Sequence, residues 1–506
     1  MKKKNPFARL DRFFSIIEKT GLALTYGDVR LRTGYSETDP KDADISTHFS
    51  RNVPLKCPLV SAAMDTVTEA PMAIAMAMFG GLGIIHKALT AEEQASQVRR
   101  VKLHLNCLIE HPICVREDET IGEILARRQE KGHDFHSFPV LSTTGKIVGL
   151  LTRNDFDVCN SPKATAAQAM TPFEELVVAR EETSVENAYE ILRSNHKKIL
   201  PLMNESRELT GMFVFSDLKR IMSGMLSQYN VDADGHLRVG AAIDVGPSEL
   251  LRAEMLLQAG CDVIVVDKAH GDMRPVKDML QDLKALKRKY PGRDVVAGNI
   301  SEPESAVHLA KWGVDGIKIG QGPGSICTTR DVAGVGCPQV TAGFNCAKAV
   351  RGMGIPICLD GGITKSGDIP IALGIGASSV MMGLMLAGTD ESPGEIKETK
   401  KGRVKVYRGM GSLPAMKESW AARARYRQGD TPKDKLVSEG VESVVPYKGA
   451  VIKILEKMAG GLRAGLGYVG ASSILELQEK ADLHWLSAAG QAESHPHDVS
   501  VTDETQ

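Results

Sequence analysis

The 506-residue chain is 42% hydrophobic, and its 62 Lys and Arg nearly balance 63 Asp and Glu. That length predicts two or three domains with large cores, and the balance excludes a global field that would recruit nucleic acid or an acidic membrane, so any anion site is local. Nine scattered cysteines without a CxxC pair argue against structural zinc and a disulfide framework and for a reducing cytoplasm.

Charges at Arg9, Asp11, Arg12 and Glu18 interrupt the basic, partly apolar N-terminus, which reads as a surface arm or short helix rather than a signal peptide. Residues 58–62 and 82–86 are apolar strand candidates around a methionine-rich helix, Pro71 to Phe79, that reads as core packing. A polar outer helix is expected over Thr90 to Leu103. From about Leu108 to Arg220 the texture changes to an internal repeat: Pro139, Gly149 and Asp155 recur as Pro201, Gly211 and Asp217, each 62 residues on. Each copy predicts a helix (Ile121 to Glu130; Val185 to Arg193), two strands and a polar end carrying the aspartate.

The strand and helix rhythm then resumes. Strands are expected over 239–245, 262–267, 294–297, 316–320, 355–360 and 378–383, with helices such as 247–259, 273–289, 302–312 and 367–373 between them. With the two strands before the repeat this makes eight, the pattern of a (β/α)8 TIM barrel of the α/β class interrupted after its second unit. The predicted division is 1–107 and 223–506 for the barrel and 108–222 for the insertion, as 108–160 and 167–222. A long Gly-, Pro- and charge-rich excursion, 405–449, reads as a lid or binding loop.

Catalytic residues of such barrels lie at the C-terminal ends of strands. There the chain places Met64 and Asp65, His86 and Lys87, Asp244, Asp267 with Lys268 and His270, Asn299, the loop GPGSICTTR from Gly322 to Arg330, the DGGI of Asp360 to Ile363, and Gly383. Cys327 sits in the glycine-rich loop, where a thiolate and an anion can be held together. Glycines atop the seventh and eighth strands suit phosphate and Asp360 suits ribose hydroxyls, which points to a nucleoside monophosphate.

The repeat copies resemble CBS domains, nucleotide-binding modules in which an aspartate near the end of each copy often holds a ribose; this falls on Asp155 and Asp217. GPGSICTTR with the following GVGCPQ, SAAMDTVTE, DGGI, YRGMGS, the Arg425-Tyr426 pair and the closing ESHPHDV resemble inosine-5′-monophosphate (IMP) dehydrogenase of the bacterial type from about Ala23 to Val499. The resemblance implies a cytoplasmic homotetramer, with octamers open, that oxidises IMP to XMP with NAD in guanine nucleotide synthesis and needs neither membrane nor nucleic acid. It implies that Cys327 forms a covalent thioimidate, that a mobile flap brings Arg425 and Tyr426 to hydrolyse it, and that Thr329 helps move the proton. Met64, Ser325, Asp360, Gly362, Gly383, Tyr407, Gly409, Met410, Gly411 and Glu439 would contact IMP, and Asp267, Asn299, Gly320 and Gly322 would face NAD. A potassium ion (K+) would lie on Gly322, Gly324 and Cys327 with Glu493, Ser494 and His495 of a neighbouring subunit, and ATP or GTP would bind the CBS pair. The chain departs from the family pattern at Lys268, Asp331 and Leu384. Two other readings remain open: GMP reductase, which shares the loop and the covalent chemistry, with DGGI and the Arg-Tyr pair against it, and a nucleotide-sensing regulator using only the CBS pair.

Overall fold

The computed structural model describes residues 5–105, 108–110, 112–130, 136–159, 161–222, 225–400 and 402–499. It divides into two compact units, 1–104 with 228–506, and 105–227.

In the larger unit eight strands, β1 (Leu59–Ser61), β2 (Leu82–Ile85), β3 (Gly240–Ile243), β4 (Val263–Asp267), β5 (Asp294–Ile300), β6 (Gly316–Ile319), β7 (Ile357–Asp360) and β8 (Ser379–Met382), form a closed parallel barrel. Closure is through β2 and β3, with Gly240 opposite Ile84, so the inserted unit joins two strands that are neighbours in the barrel. Nearly every strand residue is buried, which is why the strands read as unbroken apolar runs rather than alternating ones. Val60, Leu82, Ile84, Ala242, Val263, Val265, Val296, Cys358 and Met381 share one core cluster. A hairpin, Thr47–Ser50 with Val53–Leu55, adds Phe49, Val53 and Leu55 to that cluster. It plugs the N-terminal end: Asn52 donates from N and Nδ2 to the carboxylate of Asp294, the first residue of β5, at 2.7 and 2.8 Å.

The helices follow the expected segments, from Ala70–Met78 and Ala91–Lys102 to Pro247–Gln258, Arg274–Lys289, Pro303–Trp312 and Asp368–Gly374. The N-terminal segment is a helix, Ala8–Thr20, whose Phe14 stacks on Phe344 of helix Gln339–Ala349 at 3.7 Å between ring centroids. The long helix Val451–Val469 uses Gly461 and Gly465 to lie against Ser366 and Pro370, where a Cβ would come within 2.3 and 2.7 Å. Among the described residues no helix is long and apolar enough to cross a membrane, and the eight described cysteines are free.

The smaller unit holds two four-stranded sheets. In one, Phe138–Leu141 pairs with Ile147–Leu151, Pro139 opposite Leu150; in the other, Ile199–Met203 pairs with Leu209–Val214, Pro201 opposite Met212. The 62-residue repeat therefore sets the register, and both hairpins slip at the same place, after Val140 and after Leu202. The recurring glycine has a steric cause. A Cβ on Gly149 would lie 2.7 Å from the carbonyl of Thr171, and one on Gly211 3.1 Å from that of Ile109, because a further strand of each sheet pairs antiparallel beside the glycine there. The polar aspartate-bearing ends are the helices Arg153–Val158 and Phe215–Met222.

The excursion also differs from expectation. Gly402–Arg408 is the central strand of an antiparallel sheet between Lys397–Thr399 and Glu442–Pro446, and Leu413–Glu418 and Trp420–Arg425 are short helices. Its pattern was masked because one inward position is a lysine: the buried Lys405 donates to the carbonyls of Thr389 and Ser392 at 2.9 and 2.7 Å.

Gly83 of β2 touches helix Ala70–Met78 so closely that a Cβ would lie 2.4 Å from the Cα of Ala73. Gly83→Ala is therefore expected to destabilise the barrel by about 1–3 kcal/mol through overpacking, read as a lowered midpoint in urea with the secondary structure of the native state retained.

Candidate active site

The C-terminal ends of the strands surround a cleft lined by Met64, Asp267, Asn299, the loop residues 320–324, Ile326 and Cys327, and by Thr329, Asp360, Tyr407, Gly409, Met410, Arg425, Tyr426 and Glu439. Most residues expected from the sequence thus meet in one place.

The cysteine loop is held by backbone bonds. The amide of Cys327 donates to the Gly324 carbonyl at 3.0 Å, that of Thr328 to Glu439 at 3.0 Å, and that of Val441 to Ile326 at 3.0 Å. These bonds bring three side chains into line: the thiol of Cys327 lies 3.2 Å from the Thr329 hydroxyl, which donates to Oε2 of Glu439 at 2.8 Å. The result is a path for a proton from the thiol to a carboxylate. Gly320 is needed where it stands, since at a φ of 146° its Cβ would lie 2.2 Å from the Asp360 carbonyl. Asp331 is exposed in the first turn of helix Thr329–Ala333, where a carboxylate is favoured.

Lys318 is the side chain that sequence reasoning missed. It projects from the apolar β6 into the cleft, 2% exposed, and reaches Asp360 at 2.6 Å, Asp267 at 2.9 Å and the Asn299 side-chain oxygen. Asn299 in turn donates to Asp360 Oδ2 at 2.9 Å and to the Gly320 carbonyl at 2.7 Å. A lone lysine inside GIKIG was the available signal, because a charge within a buried barrel strand requires paired neighbours.

The second group lies against β3 and β4. Asp244 receives Lys87 on Oδ2 at 2.5 Å and Lys268 on Oδ1 at 2.7 Å. Burial pushes Lys87 down to about 8 against the pull of Asp244, with Arg425 and Lys268 adding repulsion. Burial would raise the Asp244 carboxyl, but the two lysines hold it below its usual value.

The excursion closes over these groups. Arg425 pairs with Asp267, its carbonyl accepts from the amide of Ala269 at 3.3 Å, and the carbonyl of Ala424 accepts from Lys268. Met410, Ala415, Met416 and Ala422 form a small core with Met64, Ala88, Tyr426 and Leu436 packed against it. Tyr426 lies over Gly411, whose Cβ would be 2.7 Å from its ring, and burial raises its phenol. Arg408 anchors the rim by two bonds to Asp65, at 2.9 and 2.8 Å.

The remaining expected residues are placed less uniformly. Gly383 lies beside Tyr407, with a Cβ position 2.9 Å from the phenol oxygen, and burial raises that phenol. Next to Gly383, the carbonyls of Leu384 and Met385 accept from Lys448, which burial lowers to about 8. Ser325 is exposed and does not line the cleft. Gly362 faces a separate depression behind Pro323, shared with Arg30, Lys365 and His495. His495 lies 3.0 Å from Lys365 Nζ, and Glu493 and Ser494 are exposed, so those three are not brought to the cysteine loop's cleft within the chain. In the smaller unit the carboxylate of Asp155 caps its own helix, accepting from the amide and hydroxyl of Thr152 at 2.6 and 2.8 Å. Asp217 pairs with Arg220 at 3.2 Å, and burial raises its carboxyl.

A family model described as IMP dehydrogenase / GMP reductase domain matches residues 23–497. Curated relatives named inosine-5′-monophosphate dehydrogenase include that of Haemophilus influenzae, 41% identical over 95% of this chain and 97% of the relative. That of Aquifex aeolicus is 43% identical over 95% and 96%, and that of Escherichia coli 41% over 96% and 97%. Among solved structures, a cysteine-to-alanine variant of GMP reductase from Trypanosoma brucei with guanosine 5′-monophosphate is similar at a TM-score of 0.85 and 37% identity, covering 96% of this chain and 100% of that one. The same protein with guanosine 5′-triphosphate gives 0.76 and 34%, covering 93% and 100%. Since the matched span takes in all eight strands, the cysteine loop and the docked excursion, the chain belongs to the IMP dehydrogenase / GMP reductase family.

Proposed function

We propose that this chain oxidises IMP to XMP with NAD, the step that commits purine to guanine nucleotides, through a covalent intermediate on Cys327. The observation that carries the reading is that both halves of such a reaction meet in one cleft: a thiol on a hydroxyl and carboxylate path, and an arginine docked opposite it on Asp267.

The Cys327 thiolate adds to C2 of the hypoxanthine, and the hydride on C2 leaves to the nicotinamide, which becomes NADH. Water then adds to the resulting thioimidate at C2, and the C–S bond breaks to give XMP and the free thiol. Arg425, delivered by the excursion, orients that water and serves as base. A guanidinium ordinarily keeps its proton, and Glu439, reached through Thr329, offers the water's proton a second acceptor. Asp360 uses Oδ2 for Lys318 and Asn299, leaving Oδ1 for ribose hydroxyls. Gly362, Gly383, Tyr407 and Ser325 are assigned to the phosphate, and Met64, Gly409, Met410 and Gly411 to the base. Asp267, Asn299, Gly320 and Gly322 face NAD, so the dinucleotide and Arg425 compete for Asp267.

Potassium suits the loop: the carbonyls of Gly322 and Cys327 accept no hydrogen bond from a described residue, and a hard monovalent cation prefers such oxygens. Gly324 would join them, and Glu493, Ser494 and His495 would come from a neighbouring subunit of a homotetramer, which paired insertions could bring into octamers. We assign the smaller unit to the CBS class, binding ATP or GTP near Asp155 and Asp217; that the Trypanosoma brucei relative is solved in complex with guanosine 5′-triphosphate supports purine triphosphate binding. A cytoplasmic setting fits the substrates. The solved GMP reductases favour a second reading, reduction of GMP to IMP with NADPH and release of ammonia.

Absorbance at the NADH wavelength separates the two: IMP with NAD is expected to generate NADH, whereas consumption of NADPH with GMP alone would establish the reductase. Cys327→Ala should lose turnover and keep IMP binding by calorimetry; wild-type turnover in that variant would eliminate the covalent route. In Arg425→Ala the first-turnover burst of NADH should survive while steady-state turnover falls about 10²-fold or more. Titration with ATP and GTP should give binding that Asp217→Ala weakens without altering IMP affinity.

A further inference from the structure

We propose that Lys268 is a positioning residue that latches the docked excursion, and so sets how long Arg425 stays in the cleft. Three consecutive residues at the end of β4 grip two consecutive residues of the excursion: Asp267 pairs with Arg425, Lys268 donates to the Ala424 carbonyl, and the Ala269 amide donates to the Arg425 carbonyl at 3.3 Å. Lys268 is 4% exposed and its ammonium also holds Asp244 Oδ1 at 2.7 Å. Asp244 is fixed from elsewhere by Lys87 and by the Val245 amide at 2.8 Å, so the lysine is anchored on the barrel before the excursion arrives. The Ala424 carbonyl lies in the last turn of helix Trp420–Arg425, where a cation is favoured, and otherwise accepts from the Arg427 amide. Of the two bonds made by this ammonium, one persists when the excursion leaves and the other exists only in the docked state. That difference biases the equilibrium toward docking. Lys87, the neighbouring cation, makes its bonds to Asp244 and the Asp267 carbonyl and none to the excursion.

In the proposed oxidation, on which the kinetic part of this inference rests, a latched excursion favours hydrolysis and opposes the dinucleotide, which uses the same side of the cleft. The test uses the full chain with Lys268→Met, which keeps the stem and removes the donor, and Lys268→Arg, which restores a cation. Without nucleotides, tryptic cleavage within 423–435 is expected to speed up about tenfold in the methionine variant, the size of losing one hydrogen bond to a charged group, and to return toward wild type in the arginine variant. With IMP and NAD, the methionine variant should keep the NADH burst, lose about tenfold in steady-state turnover and show a lower KM for NAD. Unchanged cleavage and an unchanged ratio of burst to steady state would overturn the latch. So would equal losses of burst, IMP binding and turnover, which mark a general packing defect. If the methionine variant does not fold, Lys268→Ser is read by the same criteria. Absence of NADH from the wild-type chain would overturn the oxidation reading, while the cleavage comparison still decides the latch.

Discussion

The carboxylate of Asp267 is the point on which the mouth of the barrel depends. It ends β4 at 2% exposure, met by Lys318 from β6 and by Arg425 from the excursion. A buried carboxylate deprived of a partner is costly, more so than the pair itself is stabilising. When Arg425 leaves, something with donors must take its place, and in the proposed reaction that is the ribose of the dinucleotide. One charge thereby enforces an alternation: the group that accepts hydride and the group that admits water cannot be present together.

Around Asp267 the cations Lys87, Lys268, Lys318 and Arg425 face the carboxylates of Asp244, Asp267 and Asp360. Four positive charges meet these three carboxylates, and Glu439 on the cysteine side of the cleft makes the count four against four. The compensation is local. Lys268 would be an unpaired buried charge were Asp244 not at the end of the neighbouring β3, so the lysine at one strand end is matched by a carboxylate at the next.

The barrel was legible because parallel strands buried on both faces leave continuous apolar runs whatever their tertiary partners, and the insertion because its register repeats as its sequence does. Cys327, Thr329, Asp360, Glu439 and Arg425 were legible through motifs and converge in space. The illegible parts share one cause. Lys318 and Lys405 are charged residues at inward positions, satisfied by groups tens of residues away in sequence or by backbone carbonyls, so local patterning reads them as exposed. That inverted the reading of Gly402–Arg408 from strand to loop and hid the bridge between Asp267 and Asp360. The helices carrying Asp155 and Asp217 read only as polar ends because they are short and their apolar residues pack on partners distant in sequence, as Phe215 stacks on Tyr189 of the preceding helix.

The bonds also divide the excursion into two parts with different duties. Its sheet, Gly402–Arg408 with Glu442–Pro446, carries Tyr407 and runs back into 439–441, which is stitched to the cysteine loop through Thr328 and Val441. Displacing that part would displace Cys327 and Glu439 with it, so the proposed reaction requires it to stay fixed. The stretch between, with helices Leu413–Glu418 and Trp420–Arg425, meets the ends of β4 and the 267–269 turn through a handful of polar bonds and a small methionine and alanine core. Few contacts of that kind give a low free energy of local opening. In the proposed reaction the path from Cys327 to Glu439 and the arm that carries Arg425 would thus sit on one excursion yet be mechanically separated, with the fixed rim holding the chemistry in register while the arm gives way to the dinucleotide.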